Sequence, residues 1–151
     1  MEDENKENSI WDTVKFTIIA ILIILPIRLW VAQPFIVSGA SMEPTFDNGD
    51  YLFIDSLSYH FNKPQKNDVI IFRYPLSPSK FFIKRVIGLP KETIEFDGKE
   101  ITLKEGEYFV MGDNRQVSSD SRVWGPVPEN LIVGRAFLRL WPFNKMDLLP
   151  G

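Results

Sequence analysis

The chain has 151 residues, of which 44% are hydrophobic and 25% charged, and its formal net charge is −3. This length is enough for one domain with its own hydrophobic core, and the composition is ordinary for a folded protein. The small negative charge gives no indication of nucleic-acid binding, and the absence of cysteine excludes disulfides, thiol catalysis and cysteine metal ligands.

The first 32 residues divide into a polar part and an apolar part. Residues 1–9 are polar and acidic, which predicts a disordered terminus. Residues 10–32 are dominated by an apolar run at residues 16–25. The 17 residues from 16 to 32 would span about 26 Å as a helix, which is the short end of a membrane-crossing length. We therefore predict a single transmembrane helix over residues 10–32.

Two other interpretations of this apolar segment are open. A cleaved signal peptide usually has a basic start and small residues at its cleavage site. Here the start is acidic, and Gln33-Pro34-Phe35 is a poor context for cleavage. A buried core helix suits so short a run, but the run is apolar on every side. Both alternatives are less favoured than a membrane span, whose orientation the few flanking charges do not fix.

Beyond residue 50 the chain is predicted to form short β-strands, because β-branched and aromatic residues cluster between turn residues. The predicted strands cover residues 51–55, 68–74, 81–89, 93–96, 99–103, 107–111 and 131–140. Residues 75–79 are predicted as a loop, and Asp97-Gly98 is the strongest hairpin signal in the chain. This pattern predicts an all-β, mostly antiparallel fold in the form of a barrel or a sandwich.

The predicted organisation is therefore a disordered terminus at 1–9, a membrane helix at 10–32 and a β-domain at 33–151. We expect the apolar tail after residue 141 either to pack under the sheet or to reach a bilayer surface. The only histidine, His60, lies in a predicted loop. A single histidine makes a histidine-based metal site or a Ser-His-Asp triad unexpected, and no metal or cofactor is predicted.

The first motif that could take part in a chemical reaction is the segment at residues 38–45, which places Ser41 among small residues. Small residues at 38–41 allow another backbone to approach closely. Pro44 stiffens the exit from the segment and removes a hydrogen-bond donor. A serine in this setting can be exposed and approached by a peptide. The alternative is an ordinary Ser/Gly turn ahead of a strand, because short motifs also match by chance.

The second motif is Lys84, a single lysine inside the apolar run at residues 81–88. Lysine is seldom fully buried without a reason. Burial disfavours the ammonium form and lowers the pKa of the amine, which makes a neutral base available. A serine nucleophile needs such a base, and a lysine can serve. The alternative is that the Lys84 side chain extends along the apolar surface to the sheet edge.

A third motif supplies polar groups that could orient such a pair, at residues 112–115 and 118–122. In this order, the three motifs resemble those of bacterial type I signal peptidases, the membrane-bound serine–lysine proteases of peptidase family S26 that remove signal peptides. The resemblance runs from the apolar segment to about Arg139, which is most of the chain. Three motifs in the same order make it specific.

The resemblance implies roles for two residues in catalysis. Ser41 matches the family's nucleophile, and Lys84 matches its general base. The backbone N–H of Ser41 is the expected first donor of the oxyanion hole. Gly39 occupies the position at which some members carry a serine whose hydroxyl also holds the oxyanion, and other members have glycine there.

The resemblance also implies supporting and substrate-binding residues. Ser118 matches a serine that contacts the lysine amine, and Asp120 and Arg122 match a charged pair beneath the site. The residues expected to line pockets for small substrate side chains are Phe35, Val37, Met42, Phe82 and Ile83. For Ser118, Asp120 and Arg122 the alternative is an ordinary polar loop. For the pocket residues the alternative is plain core packing.

The function implied is the removal of N-terminal signal peptides from secreted preproteins that carry small residues before the cleavage site. The other implied partner is the lipid bilayer. No nucleic-acid partner is expected, and the protein is expected to be a monomer. The resemblance implies a single-pass protein of the cell membrane with its catalytic domain on the extracytoplasmic side. Two alternatives are a self-cleaving repressor-type serine–lysine protein and an inactive membrane-anchored β-domain.

Overall fold

A computed structural model describes residues 2–26 and 33–149 of the chain. In this part of the chain, the longest helix, α1, is at Glu2–Pro26, and short helices α2 and α3 are at Ser58–Phe61 and Ser121–Trp124. The strands, numbered β1 to β10 in chain order, are Gln33–Ile36, Tyr51–Asp55, Val69–Tyr74, Ser77–Gly88, Thr93–Phe96, Lys99–Thr102, Glu107–Met111, Val127–Pro128, Ile132–Trp141 and Asp147–Leu148. The expectation of a mostly antiparallel β fold is confirmed.

One large sheet positions the functional residues. Its strand order is β1-β2-β9-β3-β4-β7-β8, β10 pairs with β9, and β5 and β6 form a separate hairpin. Residues 69–72 of the central strand β3 are buried on both faces, so this part of its sequence is a continuous apolar run that does not alternate with polar residues. Ile71 on one face belongs to a core cluster with Met42 and Phe46, and Phe72 on the other face to a cluster with Tyr108.

Several sequence predictions need correction at their boundaries. Strand β4 begins at Ser77, within the predicted loop 75–79, because Tyr74 pairs with Ser77 and leaves only two residues for the turn. Strand β1 was not predicted: it is four residues long and contains a proline, and it forms by pairing with β2 at the sheet edge. The C-terminal tail pairs with β9 through β10, and Leu149 packs against the core.

The N-terminal segment is helical from Glu2, whereas its composition predicted disorder over residues 1–9. Within residues 2–26 and 33–149, no helix combines the length and the apolar content needed to cross a membrane. Residues 27–32, where the predicted span ends, lie outside the described residues.

Candidate active site

Ser41 lies in a loop between β1 and β2 that is closed at its base. The N–H of Val37 donates to the carbonyl of Asp50 at 2.9 Å, and the N–H of Gly49 donates to the carbonyl of Val37 at 2.9 Å. Inside the loop, Met42 and Phe46 are fully buried in the core. Burial of these two apolar side chains holds the loop against the sheet and leaves the serine beside them partly exposed.

Lys84 lies opposite this loop on β4, where its side chain points into the protein. The ammonium group donates to Ser41 Oγ at 2.7 Å and to the carbonyl of Ile83 at 2.9 Å. Only 4% of Lys84 is exposed, and Val86, two residues further along the strand, is also buried. The side chain therefore does not extend to solvent, and a serine hydroxyl and a lysine amine that are 43 residues apart in sequence meet at hydrogen-bond distance.

Burial lowers the pKa of Lys84 to about 8, and the negative charges of Asp120 and Asp113 oppose this shift. Each carboxylate is itself paired with an arginine. Arg85 donates to both oxygens of Asp113, at 2.8 and 2.7 Å, and Arg122 donates to both oxygens of Asp120, at 2.9 and 3.0 Å. The paired cations weaken the attraction of these carboxylates for a proton on the lysine.

The sequence did not indicate the pairing of Arg85 with Asp113, because successive residues of a strand point to opposite faces and Arg85 follows Lys84 directly. Burial raises the pKa of Asp113, but hydrogen bonds from Arg85 and Thr45 hold it below its ordinary value. The Thr45 hydroxyl donates to Asp113 at 2.6 Å, so this carboxylate joins the loop of Ser41 to the strand of Lys84. The polar motif at residues 112–115 indicated that this segment has a role in the site. Its partners could not be predicted, because they are distant from it in sequence.

The segment after β7 also contacts the serine directly. The N–H of Asn114 donates to the carbonyl of Ser41 at 3.1 Å. A Cβ on Gly112 would lie 2.4 Å from the Ser41 carbonyl oxygen and 2.2 Å from Ser118 Oγ. Glycine at position 112 is therefore required for this close approach of two segments.

Ser118 has a different partner from the one expected. Its hydroxyl accepts from the N–H of Gly112 at 3.1 Å, and Asp120 accepts from the same N–H at 3.1 Å. Among the described residues, no hydrogen bond joins Ser118 to Lys84. The ion pair of Asp120 and Arg122 forms, and Asp120, which is fully buried, also caps α3 through the N–H of Arg122. That any of these residues orients the lysine stays a prediction.

A cleft of about 570 Å³ opens beside Ser41 and Lys84. Four of the predicted pocket residues contribute to its wall, namely Phe35, Val37, Phe82 and Ile83. Met42 does not: it is fully buried, because its side chain points from the loop into the core and away from the cleft. Apolar residues that sequence reasoning missed, such as Leu52 and Ile71, complete the wall.

Gly39 lines the same cleft with a backbone φ of +91°, a conformation that is strained for any residue with a side chain. Its N–H donates to the side chain of Asn48 at 2.9 Å. In the part of the chain that the structure describes, no acceptor binds the N–H of Ser41. The backbone N–H of Ser41 is therefore an unoccupied donor beside the hydroxyl of the same residue. Gly39 provides the positive-φ conformation that the loop adopts at this point.

Replacing Lys84 by methionine should raise the free energy of unfolding, because it removes a buried ammonium and keeps a long apolar side chain. Between the folded pKa of about 8 and the ordinary value of 10.5, the unfolded chain binds one more proton at this site. The free energy of unfolding of the wild type should therefore rise with pH through that window. The stability advantage of Lys84→Met over the wild type should shrink over the same window.

Urea unfolding of both proteins at several pH values measures this difference. Lys99→Met, at an exposed position in β6, is the matched control and should show no pH-dependent advantage. An equal pH dependence of wild type and Lys84→Met would contradict the burial of a charged amine.

Several known proteins are similar to this chain. The family model described as signal peptidase, peptidase S26, matches residues 10–105 and 99–141. Signal peptidase I of Leptolyngbya laminosa is 32% identical over 174 residues, covering 95% of this chain and 85% of that protein. Mitochondrial inner membrane protease subunit 1 of Mus musculus is 41% identical over 118 residues, covering 74% of this chain and 71% of that protein.

A solved structure of a signal peptidase I from Enterococcus faecalis V583 aligns with a TM-score of 0.43 and 30% identity, covering 49% of this chain and 97% of that one. The family model and the relatives together span most of the chain. The chain therefore belongs to the signal peptidase family, peptidase S26, and is a serine peptidase.

Proposed function

We propose that this protein is a membrane-anchored endopeptidase that removes N-terminal signal peptides from exported preproteins, with Ser41 as nucleophile and Lys84 as general base. The observation that carries the proposal is the 2.7 Å hydrogen bond between Lys84 Nζ and Ser41 Oγ at the edge of an apolar cleft. A nucleophile within hydrogen-bond reach of a base with a lowered pKa is the arrangement that covalent peptide hydrolysis requires.

In the proposed reaction, neutral Lys84 accepts the proton of Ser41 Oγ as this oxygen attacks the scissile carbonyl carbon. The negative charge that develops on the carbonyl oxygen is stabilised by the free N–H of Ser41. The C–N bond then breaks, Lys84 returns its proton to the leaving amine, and an ester forms on Ser41. Water attacks this ester with Lys84 again as base, which releases the new carboxylate and regenerates the serine.

The cleft and the relatives both support a proposal for the substrate class. An extended peptide in the cleft would place alternate side chains against its wall of Phe35, Val37, Phe82 and Ile83. Large apolar wall residues leave room for small substrate side chains. We infer that the substrates are preproteins with small residues at the first and third positions before the cut.

The membrane is the other proposed partner. In α1, large apolar side chains such as Phe16, Leu22 and Ile23 are more than half exposed, and they cover more than one side of the helix. We infer that residues 10–32 anchor a monomeric protein in the cell membrane, with its catalytic domain on the extracytoplasmic side. Recovery of the protein in the supernatant after alkaline carbonate extraction of membranes would contradict anchoring.

The test of the proposed function is cleavage of a model preprotein by the full chain in detergent. Ser41→Ala and Lys84→Ala should each lower kcat by several orders of magnitude, because a nucleophile and its base act as a unit. Ser79→Ala and Lys99→Ala replace exposed residues outside the cleft and serve as matched controls. Near-normal activity in folded Ser41→Ala would exclude the proposed dyad.

The activity should depend on pH through Lys84. Because the neutral amine is the base and its pKa is about 8, kcat should fall about tenfold per pH unit below that value and level off above it. The measurement is kcat from about pH 6 to 10, with circular dichroism at each pH as a control for folding.

A charge variant sharpens the pH experiment. The negative charge of Asp113 raises the pKa of Lys84, so Asp113→Asn should move the acidic limb to lower pH. Two results would show that Lys84 does not set the pH dependence of kcat. One is an acidic limb of the kcat–pH profile that is flat in the wild type, and the other is a limb that moves to higher pH in Asp113→Asn.

Substrate selectivity should follow side-chain size at the first position before the cut. Leucine in place of alanine there should lower kcat/KM by at least about tenfold, since a well-filled pocket does not accept three further carbons. The same exchange at the second position is the control, because alternate side chains of an extended peptide point away from the wall. Equal cleavage of both leucine substrates and the alanine substrate would argue against the pockets.

A further inference from the structure

Arg139 on β9 lies beside the loop of Ser41, and only 14% of its side chain is exposed. Its guanidinium donates to the carbonyl of Thr45 at 2.7 Å and to Asp50 at 3.3 Å, at two points of that loop. A third bond, at 2.7 Å, runs to the backbone carbonyl of Lys145 in the C-terminal segment. One side chain therefore joins the serine loop to the end of the sheet.

Thr45 is held from two directions. Its carbonyl accepts from Arg139, and its hydroxyl donates to Asp113 at 2.6 Å. Asp113 in turn binds Arg85, the residue next to Lys84. The position of Thr45 is thus set between a contact from β9 and a contact from the strand that carries the base.

Movement of Thr45 would be transmitted to the serine through a compact turn. The N–H of Phe46 donates to the carbonyl of Met42 at 2.9 Å, and both side chains are fully buried. The Arg139 guanidinium lies over the ring of Phe46, 5.5 Å from its centroid. Met42 follows Ser41 directly, so a shift of the Thr45 end of this turn would change the distance between Ser41 and its base.

We propose that Arg139 is a positioning residue for Ser41, which holds the serine loop so that Ser41 Oγ meets Lys84 Nζ. This inference rests on the proposed function, because it concerns the geometry of that pair. A planar guanidinium offers donors in a fixed fork, and a lysine at the same position could not reach the three acceptors in this arrangement. A displacement of about 1 Å can cost about 100-fold in rate.

The decisive variant is Arg139→Met in the full chain, because methionine keeps an unbranched side chain over Phe46 and removes every donor. With the model preprotein, we expect kcat to fall by about 10- to 100-fold and KM to change much less. Arg139→Lys keeps the charge and should recover only part of kcat. Both are measured well below the unfolding temperature of each variant.

Lys145→Met is the matched control. It removes an exposed ion pair between the side chains of Lys145 and Asp47, but leaves the backbone carbonyl that Arg139 binds. It should retain the wild-type kcat. A merely stabilising role of Arg139 predicts instead that kcat per folded molecule is unchanged in Arg139→Met and that only the unfolding temperature falls.

Each outcome decides the inference. A wild-type kcat in folded Arg139→Met overturns it, and if that variant does not fold, a wild-type kcat in Arg139→Lys overturns it. A loss of kcat in Lys145→Met equal to that in Arg139→Met also overturns it, since the effect would then belong to the C-terminal segment in general. Activity retained by Ser41→Ala overturns the proposed dyad and this inference together, whereas activity lost in Ser41→Ala but kept in Arg139→Met overturns only the positioning role.

Discussion

The hydrogen bond between the buried amine of Lys84 and the hydroxyl of Ser41 is the interaction on which the rest of the site depends. Burying an ammonium is unfavourable unless it has partners. Here the partners are two oxygen acceptors and the ring of Phe82, whose centroid lies 5.4 Å from the amine. The remaining cost appears as a lowered pKa of the Lys84 amine, which is the property that its proposed role as a base requires.

The charges around Lys84 are paired with each other, so the pKa of its amine stays lowered. Two carboxylates lie near enough to favour the ammonium, and an unpaired carboxylate in the same place would favour it more. Because Asp113 is bound by Arg85 and Asp120 by Arg122, both carboxylates serve as structural acceptors. The arginines thus allow acidic residues to organise the site without fixing a proton on Lys84.

Much of the fold and part of the site could be predicted from local sequence. The strands rich in β-branched and aromatic residues, such as Val69–Tyr74, form as predicted, because such side chains suit a pleated and buried surface. The apolar neighbours of Lys84 likewise indicated its burial. Residues whose neighbours carry little information were harder to place: Met42, expected in the cleft wall, lies in the core, and Ser118, expected at the amine, accepts a hydrogen bond from the N–H of Gly112.

The sequence by itself predicted most of the longer strands, indicated one lysine as a candidate for burial, and carried the ordered motifs that resemble one peptidase family. These properties depend on the residue types within a few positions of each other. Only the tertiary structure decided that Asp113 links Thr45 to Arg85, and that Arg139 contacts the serine loop from β9. Such contacts join residues far apart in sequence, and they depend on strand order and register, which no local pattern encodes.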